Sequence, residues 1–242
     1  RTPNFVPRRG PVVPNYIAAR EAPLLFMPIR SAPEAPVLEL LAAVDQSEIS
    51  ELKRDFSQKT LRQWKRAHVP HRSFTVVSHP VPRAYRAFQK HILGTGKGAY
   101  LEIRKTLMRV YQVPLRPDGP GSDWTAEKQK AAFLAYLDFV KMNLAQQTAI
   151  RVDSAWATQS QILQGFAEFA TPDFVIRENS LVTDFAMLAR SVGLDPPEVS
   201  LGLIEDTISI DAIYDSELEA AVRAVYQRDY MALGYGPFQS AG

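Results

Sequence analysis

Residues 73–93 read SFTVVSHPVPRAYRAFQKHIL, and this stretch decides the fold class. Phe74 to Val77 is a β-branched and aromatic run, the composition of a buried strand. His79-Pro80 stops it, because proline has no amide proton to give to a ladder. From Pro82 to Leu93 the pattern becomes a basic amphipathic helix carrying Arg83, Arg86, Lys90 and His91. A strand that ends in a short turn and feeds a helix is the crossover unit of α/β proteins. Its helix start offers unpaired N–H groups and the positive end of a dipole to an anion.

Upstream, Pro23 to Ile29 reads as a first buried strand, Val37 to Val44 as a short helix, and Asp45 to Ala67 as a second helix with Glu48 in capping-box position. Residues 1–22 hold four prolines and little periodicity, so they read as an extended arm that could serve an oligomer contact. Downstream, Tyr100 to Tyr111 reads as helix and residues 113–124 as a Pro- and Gly-rich loop. A long helix then places Phe133, Leu137, Val140 and Leu144 on one stripe. Asp173 to Arg177 is a short strand. A helix capped at Asn179 or Ser180 runs to Val192 and ends at Gly193. The last helix opens at Ser216, with Glu219 three residues on, and reaches Leu233. Strands alternating with helices predict an α/β protein with a mostly parallel sheet covered on both faces, helix-rich toward the C-terminus, residues 23–242 forming one domain.

With no cysteine among 242 residues, disulfides and thiolate chemistry are excluded, and a cytoplasmic location is expected. No apolar run reaches the roughly 18 residues that span a bilayer. The net charge of +2 hides a division: residues 53–109 carry 14 Lys and Arg against two acids, and residues 168–229 carry 13 acids against four Arg. Either these are solvated helix faces, or the basic region is a cationic face for a polyanionic or phosphorylated ligand. Nucleic acid is not the expected partner, since the aromatics of this region fall at core-like spacings. The Gly94–Gly98 turn follows a helix rather than a strand, which removes the context of a phosphate loop. His79 is expected to orient the turn before Pro80. Arg177-Glu178 closes a strand at the end where α/β sheets bind ligands, with an internal ion pair as the simpler account. No histidine grouping suggests a metal site.

Four stretches, in order, carry a resemblance: PLLFMPIRSAPEA (23–35), FTVVSHPVPRAYRAF (74–88), DFVIRENSLVTDFAMLARSVGL (173–194) and AIYDSELEAAVRAVYQRDYMALGY (212–235). Together they resemble the carbohydrate sulfotransferase family, in the branch called sulfotransferase family 2, whose bacterial members are labelled nodulation-type sulfotransferases. The resemblance implies a P-loop-NTPase-like sulfotransferase fold. It also implies transfer of a sulfuryl group from 3′-phosphoadenosine-5′-phosphosulfate (PAPS) to a hydroxyl, usually on a carbohydrate, without a metal. Arg30 and Ser31 stand where the family's phosphosulfate loop has Lys and a small or hydroxyl residue. Arg83 matches an Arg of the second motif, while Ser78 and Arg86 look like an exchange of its Arg and Ser, the pair that holds the 3′-phosphate. Trp156, with Gln159, resembles a Trp-x-x-Gln element and could stack on adenine or sugar, with core packing as the other reading. Arg177 is a further cofactor contact, and His71, His68 and Arg30 are the catalytic candidates, the histidines as bases for the acceptor hydroxyl.

The chain departs from that pattern in its loop. Pro33 removes a backbone donor, Glu34 puts a carboxylate where an anion should bind, and Ala35 supplies no hydroxyl. Two functions therefore stand: a sulfotransferase with a remodelled loop, or an inactive homologue that binds a glycan, a nucleotide or a protein.

Overall fold

The computed structural model describes residues 15–168, 170–197 and 208–239. Among them four strands form one sheet in the order β1 (Ile17–Ala18), β2 (Leu24–Phe26), β3 (Arg72–Val77), β4 (Phe174–Arg177). β1 is antiparallel to β2, and the pairs β2–β3 and β3–β4 are parallel, with Phe26 opposite Phe74 and Phe74 opposite Phe174. The sheet is mostly parallel, as the strand and helix alternation requires.

Period-two alternation sends side chains to two cores. Leu24, Phe26, Phe74, Val76 and Ile176 face α1 (Ala35–Val44) and α7 (Leu181–Ser191). On that side Phe26 stacks on Phe74 at 5.2 Å, and Phe185 meets Phe74 edge-on at 5.7 Å. Ala18, Leu25, Met27 and Val77 face the other way, toward Trp64 of α2 (Gln58–Ala67) and Phe166 of α6 (Gln159–Ala167). A third core lies among α3 (Pro80–Ala87), α5 (Ala126–Leu144) and α8 (Ser216–Leu233), filled by Tyr85, Phe88, Phe133, Tyr136, Trp156 and Tyr226. α4 (Leu101–Val110) packs at its edge through Leu107.

Three expectations change. The arm reading of 1–22 fails at its end: Tyr16 to Ala19 are buried and Ile17–Ala18 pairs with β2, because short apolar side chains there complete the sheet edge. Residues 1–14 lie outside the described residues. The single helix from Asp45 to Ala67 is instead a 3₁₀ turn (Ile49–Glu51) and α2, the latter opened by a Ser57–Thr60 capping box. Asp45 is used otherwise, accepting from the backbone N–H groups of Arg20, Glu21 and Ala22 and so fixing the turn into β2. Finally, α3 starts at Pro80 and continues as a π-helical turn, Phe88–Leu93. Proline is tolerated at that start because first-turn N–H groups have no helical partner, and His79 caps it, its Nδ1 accepting from Val81 at 3.2 Å.

Candidate functional site

Parallel strands bring their C-termini to one edge. There β2 leads into Arg30 and Ser31, β3 into Ser78, and β4 into Glu178 one residue past the Val77–Arg177 pair. α3 leaves from the same edge and turns Arg86 back over it. Arg86 Nη1 and Nη2 donate to the two Glu178 carboxylate oxygens at 2.7 and 2.8 Å, Nη2 also to Ser78 Oγ at 2.9 Å, and Nε to the Ser31 carbonyl at 2.9 Å. This fork-on-carboxylate geometry is the strongest that arginine makes. Burial alone would raise the Glu178 carboxyl; the Arg86 contacts outweigh it and hold the group below its ordinary value. The hydroxyl and guanidinium expected to cradle a 3′-phosphate are thus side by side, with a resident carboxylate between them and any ligand.

Arg83 has a different task. It is 1% exposed and donates to three backbone carbonyls: Arg30 at 3.1 Å, Ala157 at 2.8 Å and Ser154 at 3.2 Å. It ties the loop after β2 to the segment before α6, so its expected place as a ligand contact is corrected to a structural one. Gln159 continues the tie by exchanging both hydrogen bonds with the Ser78 backbone at 2.9 and 2.8 Å. The N–H groups of Gln159 and Ser160 in turn donate to Asp229 of α8, a fully buried carboxylate that the start of α6 accommodates.

Arg30 is the open part of the edge. Its side chain is 52% exposed; Nη1 is 3.5 Å from Asp153 Oδ1 and the guanidinium lies 5.9 Å from the Tyr100 ring. Tyr100 donates to Asp153 at 3.1 Å, and the buried His91, Nδ1 on the Gly98 carbonyl, stacks on Tyr100 at 4.4 Å. Ser31 adopts φ 63°, and its hydroxyl is sealed from solvent with no hydrogen-bond partner. A buried hydroxyl without a partner, one residue after a half-exposed guanidinium, is the part of the edge that fits an anion. Glu34 does not oppose this, since it is half exposed with Arg54 3.9 Å away, whereas Pro33 is buried and gives the loop no amide proton.

The remaining candidates lie elsewhere. His68 and His71 sit before β3, at the opposite edge, about 20 Å from Ser78 by the rise of a six-residue strand. Both His68 ring nitrogens meet carbonyls, Trp64 at 2.8 Å and Arg20 at 3.2 Å, and the ring stacks on Trp64. His71 packs edge-on to Trp64, and burial pulls its imidazole below the ordinary value. Neither histidine is placed to serve the carboxyl edge as a base. Trp156 is fully buried with Nε1 on Asn143 at 2.7 Å, so it has no face for a ligand ring. Arg177 donates to the Leu233 carbonyl and covers Tyr235 at 5.0 Å, closing the end of α8 rather than lining a pocket. His79 orients its turn as expected, with Nε2 3.0 Å from the Gly236 carbonyl.

Sequence reasoning missed Asp153, Tyr100 and Asp229 as members of the edge, and read the internal ion pair at Arg177-Glu178, whereas the partner of Glu178 is Arg86. The one readable signal was Asp153, whose Oδ1 accepts from Ala155 N–H two residues on, an Asx turn. Among the described residues no group of three or more His, Asp or Glu could hold a metal ion, and no helix is long and apolar enough to cross a membrane. The chain matches no family model, no curated protein and no solved structure.

Proposed function

We propose that this chain is a sulfotransferase-like protein of P-loop-NTPase-like architecture that takes the phosphosulfate end of PAPS at Arg30 and Ser31 and serves a hydroxyl acceptor, most simply on a carbohydrate. One observation supports this above the rest: a half-exposed guanidinium beside a buried hydroxyl without a partner, at the carboxyl end of the first parallel strand. PAPS, when bound, supplies a sulfuryl group on a phosphate leaving group. Arg30 would offset the charge that builds on that phosphate, and Ser31 would donate to it, the two demands of group transfer between anions. Asp153 and Tyr100 hold Arg30 in place, and Arg83 fixes the loop from beneath. The 3′-phosphate would compete with Glu178 for Arg86 and Ser78.

That competition favours a second reading, an inactive homologue that binds a glycan, a nucleotide or a protein, because the best-formed cationic fork is already saturated by its own carboxylate. Titration calorimetry with 3′-phosphoadenosine-5′-phosphate, followed by label transfer from PAPS to an oligosaccharide panel, tests both. Binding that Arg30→Ala abolishes, together with transfer, supports the enzyme. Binding without transfer supports the second reading, and no heat at millimolar ligand removes the PAPS assignment.

A further inference from the structure

The 14 cations of residues 53–109 do not form one surface. Arg83 and Arg104 are buried on backbone carbonyls, Arg86 is held by Glu178, and Lys105 pairs with Glu102. Of the other ten, four lie on α2. Between Phe56 and Arg72 the sequence holds five Lys and Arg and no acid. Lys59, Arg62 and Arg66 are exposed, Lys65 partly so, and none of the four pairs with an acid among the described residues. Spacings of three and four put Lys59, Arg62 and Arg66 on one face, spanning about 10 Å at 1.5 Å per residue. Trp64, the one buried residue of the helix, lies on the far side.

This face works against the helix that carries it. Like charges three and four apart destabilise, a cation in the first turn opposes the dipole, and a face that is merely solvated mixes its signs. Among the described residues no acid offsets the row. We infer that the outer face of α2 is a docking surface for a linear acidic polysaccharide, recognised through its repeating carboxylates or sulfates. Bases would need an aromatic platform to stack on, and Trp64 and Phe56 are turned into the core. A bilayer would need an apolar face, and that of α2 is spent against the sheet, leaving only Val69 exposed beside it. α2 runs from the Arg54–Glu34 pair beside the loop after β2 to His68 just before β3, and a polymer along its outer face goes beyond the reading proposed above: it is held whether or not sulfuryl transfer occurs.

The test is binding of size-defined polygalacturonate to the full chain by calorimetry at stepped salt, with dextran, single-stranded DNA and phosphatidylserine vesicles alongside, and no PAPS present. Expected are binding of polygalacturonate and not dextran, and a log–log salt slope of about −2 to −3 for three neutralised charges, by analogy with nucleic acids. Arg62→Glu is expected to weaken binding at least tenfold and Lys59→Glu/Arg62→Glu/Arg66→Glu to abolish it, with Lys97→Glu leaving it intact. Arg62→Glu alone keeps the test open where the triple variant fails to fold. Undetectable polygalacturonate binding, binding indifferent to Arg62→Glu, or tighter binding of the DNA or vesicles overturns the inference. None of these results touches the Arg30 reading, which its own titration decides.

Discussion

Glu178→Gln isolates the internal carboxylate with almost no change of shape. In the native chain both carboxylate oxygens accept from Arg86, at 2.7 and 2.8 Å, with the two side chains 31% and 27% exposed. A hydrogen bond to a charged group contributes about 1.5–3 kcal/mol. For a pair this accessible the lower end applies, so the glutamine variant should lose about 1.5 kcal/mol. At this chain length that is a fall in Tm of about 3–6 °C, read by calorimetry. The sign in pH follows from the depressed Glu178 value: its contribution is present above about 4.3 and is lost as pH falls through the folded value, so the variant should lose less stability on acidification. Ligand binding should move the other way. A phosphate entering the Arg86–Ser78 fork meets the Glu178 charge at close range, about 4 kcal/mol for unit charges 4 Å apart at an effective dielectric of 20. Even a third of that is about tenfold in affinity. The variant should therefore bind 3′-phosphoadenosine-5′-phosphate at least tenfold more tightly while being less heat-stable. Affinity unchanged or weakened alongside the expected loss of Tm would show that no phosphate reaches Arg86, and the competition argument would fall.

Arg83→Met should cost about 3 kcal/mol, because three buried carbonyls lose their donor together, with Arg83→Lys intermediate; chemical denaturation reads both. His68→Gln and His71→Gln should leave any transfer activity and its pH profile unchanged, since both rings sit at the amino edge; a tenfold loss in either would return the base to that end. Trp156→Phe should lower stability by about 1–2 kcal/mol by stranding the Asn143 Oδ1 acceptor, with no effect on nucleotide affinity. Burial lowers the imidazole values of His71, His79 and His91, so the folded state binds fewer protons than the unfolded one below about pH 6.5. Stability should be full above that pH and fall as pH drops through the folded values, and His91→Gln should flatten part of the slope in a Tm–pH series.

Much of the frame was legible because it rests on local chemistry. The β-branched run at Phe74–Val77 and the Pro80 break each declare themselves within a few residues, whereas the caps were read at Asp45 and Ser216 and stand at Ser57 and Asp215. What stayed hidden depends on distant pairing. Nothing near Arg86 announces that its partner is Glu178, 92 positions on, or that Arg83 will meet carbonyls rather than an anion. A basic residue on a strand-following helix looks the same in sequence whether it faces a ligand, a carboxylate or the backbone. Trp156 stood open between a ligand platform and core packing because hydropathy cannot tell a tryptophan that stacks on ligand from one that meets Asn143. Ile17–Ala18 was missed for a simpler reason: two residues are too few for a period to show.

Asp229 holds the start of α6, 70 positions before it, and Gln159 of α6 holds Ser78, 81 positions earlier still. On the ribosome this means that the carboxyl edge stays unfinished until the final helix has left the exit tunnel. Translation pauses before that point would leave the Gln159 and Ser160 amides waiting for a carboxylate not yet made, and a chain shortened by a premature stop ahead of Asp229 should be degraded rather than linger half-active.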